Sequence, residues 1–497
     1  MTTAAPLVWG TPRARLVLTA TVLGSSLSFV DATVVNIALP RIGRALDAGT
    51  AGLTWVVNGY TLTLAALVLL GGALGDRLGR RRVFVAGTVL FAVASAVCGL
   101  APDIGTLVAA RAAQGVGGAL LTPGSLAILQ ASFAHDDRGR AIGAWSGLGG
   151  VAGAVGPFLG GWIVEAASWR WVFLVNLPVA AMVLALAVRY VPESRDPDAT
   201  GRLDVPGAVL LAASLAAATY ALTAAGASSW TWPVALTLLA GLVLGAVFVA
   251  HERRTARPLV PPSIFGSRLF GVANLVTLVV YAALGVVFFA VGVTLQVGAG
   301  YSPLAAGLSL LPVTAVMLLF SSRAGALVER TGPRLPLTIG PLVAAVGVAM
   351  LHRIDSSTSY VLDVLGPALV FGAGLTTLVA PLTATVLAAV PDHQAGLASG
   401  VNNAVARTAG LLGVAAVPLV AGLSGDRLID PDAVLAGFEV LAWGCAGLLV
   451  LGSLVAAVGT RDPRARRPCR SEPAAHHCAV TGPPAPVQRP PEQPRAA

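Results

Sequence analysis

Three ionisable side chains stand within long apolar stretches of this sequence and a fourth lies at the end of one. Asp31 lies in SSLSFVDATVVNIALP, Arg111 in LVAARAAQGVGGALLTPG, Arg407 in SGVNNAVARTAG, and Glu165 near the end of an apolar run. A charge at bilayer depth costs several kcal/mol and is kept where it is paired or works. A carboxyl withdrawn from water ionises less readily than one in it, so its protonation can follow the conformation around it. An acid at Asp31 that is protonated facing one side and ionised facing the other couples a proton gradient to solute movement. The alternative is an acid that only hydrogen-bonds a neighbouring helix and holds packing. Arg111 cannot give up its charge and needs an acid, carbonyls or water beside it. It can pair with Asp31 as a proton-coupling partner, or as a fixed structural ion pair. Gln114, three residues after Arg111, falls on the same helix face.

The elements that carry these residues are membrane spans. Only 11% of residues are charged, 56% are hydrophobic, and there are 57 Gly; mean hydropathy is +0.81. A soluble fold could not cover such a core with so few charges, whereas in lipid apolar surface faces acyl chains and small residues let helices approach closely. A span needs about 20 apolar helical residues. Such runs are predicted over 15–39, 53–75, 83–101, 105–130, 140–165, 170–191, 204–225 and 232–250. Six more follow over 270–296, 303–327, 335–352, 360–389, 394–422 and 434–459. The net charge of +9 comes entirely from arginine among the basic residues, and its distribution tests this topology. With the N-terminus inside, 25 Arg fall on the cytoplasmic side and five outside, which is the positive-inside pattern. Fourteen helices with both termini cytoplasmic follow. These arginines sit in short loops and not in a basic groove, which excludes nucleic acid as the partner.

The segment 460–497 is rich in Pro and Arg and reads as a disordered cytoplasmic tail. Cys469, His476, His477 and Cys478 within it match no metal-ligand spacing; Cys98 and Cys445 lie in apolar runs, so no disulfide framework exists. No H-E-x-x-H, G-x-S-x-G or Walker-type loop is present, so the expected class is a transporter without a cofactor and not an enzyme, and ATP is not its direct energy source.

Glycine and proline mark mechanical points. GALGDRLGRRR, from Gly72 to Arg82, joins the second and third spans, with Gly75 and Gly79 permitting a tight turn and Arg80 to Arg82 suited to an anionic leaflet. GPFLGG, from Gly156 to Gly161, puts a proline break and close-packing glycines in the fifth span. Together these stretches resemble the signatures of the major facilitator superfamily, specifically its fourteen-helix drug:proton antiporters. The G-x-x-x-D-R-x-G-R-R motif is met by Gly72, Asp76, Arg77, Gly79, Arg80 and Arg81. The fourth-span motif is met by Arg111, Gln114 and Gly115, and the antiporter motif by Gly156, Pro157, Gly160 and Gly161. The first-span pattern D-x-T-V-V-N-x-A-L-P is met from Asp31 through Asn36 to Pro40. WRWVFLVNLP, from Trp169 to Pro178, and GLASGVNNAVARTAG, from Gly396 to Gly410, are also similar to that branch, and the likeness extends to about residue 460.

The resemblance implies an all-α major facilitator fold: a cytoplasmic segment 1–14, a six-helix bundle over 15–191, two inserted helices over 204–250, and a second bundle over 270–459. ALVERTGPRLP reads as a decayed copy of the motif between the second and third spans, as an internal repeat requires. By the same resemblance Asp31 and Arg111 serve proton coupling. Gly72, Asp76, Arg77, Gly79 and Arg80 form a gate cluster, with Asp136 or Asp137 as acidic partner, and the fifth-span motif seals the bundle interface. Substrate candidates are the polar and aromatic groups Asn36, Asn58, Tyr60, Gln114, Asn274, Tyr281, Gln296, Asn402, Asn403 and Arg407; each is also suited to an interhelical hydrogen bond or an interfacial anchor. Trp9, Trp55, Trp162, Trp169 and Trp171 are expected in the interfacial belt. The tenth span offers no second carboxylate, which favours neutral, zwitterionic or monocationic substrates. The implied function is export of an antibiotic or other drug by a monomer in the cell membrane in exchange for protons. Export of a siderophore or endogenous metabolite, and proton-coupled nutrient import, are the alternatives.

Overall fold

The computed structural model describes residues 6–196, 203–228, 230–256, 258–391, 394–423 and 427–460. The Pro- and Arg-rich tail, with its Cys and His residues, lies outside the described residues, as do Arg202 and Arg257. Among the described residues fourteen long helices follow one another: α1 Pro12–Leu46, α2 Thr50–Leu78, α3 Arg80–Leu100, α4 Ile104–Ser132, α5 His135–Ala166 and α6 Trp171–Tyr190. Next come α7 Val205–Ser228 and α8 Trp232–Arg254, then α9 Arg268–Gly298, α10 in two pieces (Pro303–Ser309 and Leu311–Thr331) and α11 Arg334–Arg353. The last are α12 Tyr360–Ala388, α13 Ala395–Val420 and α14 Pro431–Gly459. Among the described residues 13 helices are long and apolar enough to cross a membrane; α5, with 32 residues and Pro157 inside it, is the remaining long helix.

Local chemistry sets several helix starts. Thr11, Asp103, Ser267, Ser302 and Asp430 accept from backbone N–H groups of the first turns of α1, α4, α9, α10 and α14. Pro12, Pro303 and Pro431 occupy first-turn positions where no N–H is needed. Apart from α1, which runs on to Leu46 past the predicted 39, the helices end within about five residues of the predicted spans, with interruptions that apolarity alone does not signal. α6 breaks at Val175 and α10 at Leu310, and α9 and α12 each carry a π turn, at Thr294–Gly298 and Tyr360–Leu365.

In the first group of helices, α1 packs on α4, α5 and α6, α2 on α4, and α3 on α4 and α6. In the second, α9 packs on α13 and α14, α10 on α12, and α11 on α12 and α14. The two groups meet where α5 lies on α10, α2 on α13 and α1 on α9. α7 lies against both α2 and α13, and α8 packs on α7 with only 11% of its apolar window buried. Close approach within the second group depends on Gly374, where a Cβ would stand 2.3 Å from Ala344 N of α11.

The two ends of the molecule differ. At one, the arginine-rich face, the chain leaving α6 meets the α2–α3 turn, and Leu7 pairs with Ser132 and Ala134 at the α4–α5 junction. At the opposite face the ends of α1 and α5 meet α9 and α10. The α2–α3 and α10–α11 turns each carry a glycine with positive φ, Gly79 at 116° and Gly332 at 77°. Of the tryptophans expected in an interfacial belt, Trp162 and Trp171 are exposed, but Trp169 is buried. Its ring is covered by the Arg170 guanidinium at 4.4 Å and the edge of Phe173 at 6.3 Å, so it anchors the α5–α6 corner instead.

Candidate functional site

The charged pair inside the first group is fully enclosed. Arg111 Nη1 donates to Asp31 Oδ2, and the two side chains are 1% and 0% exposed. Neither partner relies on the other alone. Gln114 Nε2 donates to Asp31 Oδ1 at 2.9 Å, and Asn176 Nδ2 donates to the same oxygen at 3.2 Å. Ser95 Oγ lies 2.8 Å from Gln114 Nε2 and 3.4 Å from Asn176 Nδ2. Arg111 also donates from Nη1 to Gln114 Oε1 at 2.7 Å and from Nε to the Val56 carbonyl at 3.0 Å, and its guanidinium lies 4.3 Å from the Tyr60 ring. Tyr60 donates in turn to the Ser28 carbonyl at 3.2 Å. The arrangement follows from helix geometry: Arg111 and Gln114 project from one face of α4 towards α1, with α2, α3 and α6 closing the other sides. The Asp31 carboxylate is thus met by one guanidinium and two amides, and the buried charges are paired.

A second cluster buttresses the α2–α3 turn. Asp76 pairs with Arg80 at 2.8 Å, one helical turn on. Glu193, beyond α6, accepts the Arg81 N–H at 3.2 Å and stands 3.7 Å from both Arg81 Nε and Arg82 Nε. Backbone bonds from Arg80 to Ser194 (2.9 Å) and from Asp196 to Asp76 (2.9 Å) clamp the same segment on the turn. Gly79 is required twice over: its φ is left-handed, and a Cβ there would meet the Glu193 carboxylate at 2.6 Å. Arg77 is exposed, and Gly72 packs against Pro123 of α4. Asp137 accepts the Trp9 N–H at 2.8 Å and faces Arg140 at 3.7 Å, so it holds the N-terminal segment and not the α2–α3 turn.

The fifth-span glycines face two neighbours. Cβ atoms at Gly156 and Gly160 would collide with Thr33 and Val34 of α1, at 2.0 Å and 2.9 Å. One at Gly161 would meet Pro303 O of α10 at 2.4 Å, and one at Gly307 would meet Pro157 O at 2.2 Å. The motif therefore lays α5 on α1 and, across the boundary between the helix groups, on α10. Glu165 Oε2 accepts the Leu304 N–H at 3.1 Å, and Gln296 in the π turn of α9 donates to the Ile37 carbonyl of α1 at 3.0 Å.

The substrate candidates divide by place. Tyr60 and Gln114 belong to the Asp31 cluster, and Gln296 joins the helix groups at the face opposite the arginines. Asn402 donates to Asn274 Oδ1 at 3.2 Å and Thr277 Oγ1 at 2.8 Å, an interhelical knot between α13 and α9. Asn403 is exposed and bonds the Ser399 carbonyl at 3.2 Å. Asn36 Oδ1 and both amide atoms of Asn58 are buried without a protein partner. Tyr281 is half-buried against the second group's core, and Arg407 is half-buried with its guanidinium 5.7 Å from the Phe29 ring of α1. Sequence reasoning missed Asn176, Ser95 and Glu193. Asn176 had a signal, an amide inside WRWVFLVNLP, whereas a serine in an apolar helix and a loop glutamate carry none.

A family model described as "Major Facilitator Superfamily" matches residues 21–414. The puromycin resistance protein of Streptomyces alboniger is 36% identical over 444 residues, covering 86% of this chain and 88% of that protein. The cephamycin export protein of Amycolatopsis lactamdurans is 37% identical over 420 residues, covering 83% and 86%. Among solved structures, a bacterial homologue of the human lysosomal transporter Spinster superposes with a TM-score of 0.64 at 17% identity, covering 90% of this chain and 97% of that one. A D-xylose–proton symporter gives a TM-score of 0.64 at 16% identity, covering 91% and 99%. With its alternating long helices in two packed groups and its signature turn between α2 and α3, this chain belongs to the major facilitator superfamily.

Proposed function

We propose that this protein is a proton-coupled antiporter that exports small organic molecules, antibiotics or other drugs, from the cytoplasm. The observation that carries the reading is the enclosed Asp31–Arg111–Gln114–Asn176 cluster: a titratable carboxyl with a permanent cation and two amides inside one helix group. In this reading α1–α6 and α9–α14 are the two rocking bundles, and the arginine-rich face is cytoplasmic, as the positive-inside pattern requires. The α5–α10 contact is a seal on the outer side, and the Asp76–Arg80–Glu193 turn stabilises one gate state. Protonation of Asp31 releases Arg111, loosens α4 from α1 and favours the alternate arrangement; deprotonation on the other side restores the pair. Relatives named for puromycin resistance and cephamycin export support an antibiotic as cargo. The protein acts as a monomer, with substrate and proton as its only small partners.

The test uses inside-out vesicles from a host without its own efflux pumps, acidified inside, with a panel of antibiotics and dyes added while a pH-sensitive dye follows proton release. The expected result is release by wild type for one compound class and none by Asp31→Asn. Equal responses from both proteins would remove Asp31 from the coupling step. Wild-type silence across the panel, with radiolabelled compound also failing to accumulate in the vesicles, would refute drug export.

A further inference from the structure

Arg407 stands apart from the other membrane-embedded charges. It is the thirteenth of the 26 residues of α13, so at about 1.5 Å rise per residue it lies close to mid-membrane. None of the ion pairs among the described residues involves it, and none of their hydrogen bonds uses its guanidinium. Its guanidinium lies 5.7 Å from the Phe29 ring of α1, in the other helix group, so it faces the boundary between the two groups. A guanidinium keeps its charge there, and at this depth a counter-charge strongly stabilises it. The buried acid of the first helix group, Asp31, is already spent: its side chain is 0% exposed and carries Arg111 and two amides. Among the described residues Arg407 is thus a cation near mid-depth of this boundary that no ion pair neutralises.

We propose that Arg407 is the anion-recognising group of the transport path, and that the exported molecules present a carboxylate or a similar planar oxyanion to it. The assignment rests on the export reading and sharpens it. A planar fork of N–H donors matches a carboxylate in two parallel hydrogen bonds, and Phe29 offers an apolar wall for the rest of the molecule. It also reverses the expectation that a lone buried acid favours monocations, because that acid is closed to solutes and the open charge is positive.

The test compares one scaffold in three charge states: dansylglycine, its neutral methyl ester, and a cationic dansyl-ethylenediamine. Binding to the purified full-length protein is read by dansyl fluorescence for wild type, Arg407→Gln and Arg407→Lys. A charge-assisted hydrogen bond in a shielded site predicts at least about tenfold tighter binding of the acid than of the ester by wild type. Arg407→Gln should bring the two within about twofold by weakening the acid alone, and Arg407→Lys should restore part of the gap. A wild type without acid preference, or an Arg407→Gln protein that loses acid and ester equally, overturns the assignment. The same probes in the vesicle assay separate the two readings. Arg407-dependent acid binding without proton release removes antiport and keeps the anion site, whereas proton release by ester and amine as readily as by acid keeps antiport and removes the site.

Discussion

Gly161→Ala tests the boundary between the helix groups with one methyl group. The added carbon would stand 2.4 Å from Pro303 O and 2.8 Å from Leu304 Cα, against an ordinary contact of 3.4–4 Å. Both neighbours are backbone, so no side chain can swing aside, and α5 and α10 must separate by about 1 Å. Overpacking of this kind costs about 1–3 kcal/mol. Here the cost falls only on the arrangement in which α5 and α10 touch, so about 2 kcal/mol shifts the conformational equilibrium about thirtyfold away from it. A cysteine at Asn36, half-buried on α1 beside Gly292 of α9, reports the change. Its labelling by a membrane-impermeant maleimide, added from the face opposite the arginines, should quicken at least about tenfold when Gly161→Ala is present. The two described cysteines, Cys98 and Cys445, are buried. Gly374→Ala is the control: its clash with Ala344 N at 2.3 Å lies inside one helix group, so it should lower the thermal midpoint and leave labelling unchanged. Unchanged labelling in Gly161→Ala, with a midpoint drop like the control's, would refute the idea that this contact is broken and remade.

Three further outcomes follow from the geometry. Asp31→Asn leaves Arg111 as a buried cation without a carboxylate, which should destabilise the protein by about 3–5 kcal/mol in a detergent melt, and Arg111→Gln added to it should recover part of that loss. Gly79→Ala meets both a left-handed backbone and the Glu193 carboxylate, so it should lower the melting midpoint. Adding Glu193→Ala should relieve the clash but not the backbone strain, giving partial rescue. Ahead of α7, burial alone would raise the Asp204 carboxyl, but hydrogen bonds from His251 and the Gly207 N–H outweigh it and hold the group below the usual carboxylate range. A depressed carboxyl contributes stability that is complete above its unfolded value, about 4, and is lost as pH falls through the lower folded value. Melts taken below about pH 4 should therefore show an acid-dependent loss in wild type that is smaller in Asp204→Asn.

What could be read from the sequence was what repeats or costs energy. Apolar length specifies most of the helices to within about five residues, because bilayer thickness acts on every span alike, whereas α1 runs seven residues past its predicted end. Asp31 and Arg111 were visible because a charge in an apolar run has few innocent explanations. The groups that complete their site were not. Ser95 is an ordinary residue of a membrane helix, and its role comes only from α3 lying beside α4 and α6. Glu193 sits 114 residues after Gly79 and becomes its neighbour only when the chain leaving α6 folds back on the α2–α3 turn. Asp137 looked equally suited to that turn until Trp9 took it. Breaks such as Val175 and the π turns of α9 and α12 answer to tertiary packing, which local propensity does not encode.

α7 lies along the line where α2 meets α13, and Gly226 brings it against the α13 backbone, a Cβ there standing 2.6 Å from Leu419 N. A bundle pair of this kind has two flanks through which an oily molecule dissolved in a leaflet could slip sideways into the centre. On the α2–α13 flank that side door is boarded over by α7, with α8 as an outer plank in the lipid. The α5–α10 flank has no such cover among the described helices, so the inserted hairpin makes the two flanks of the helix pair unlike despite the likeness of the two halves.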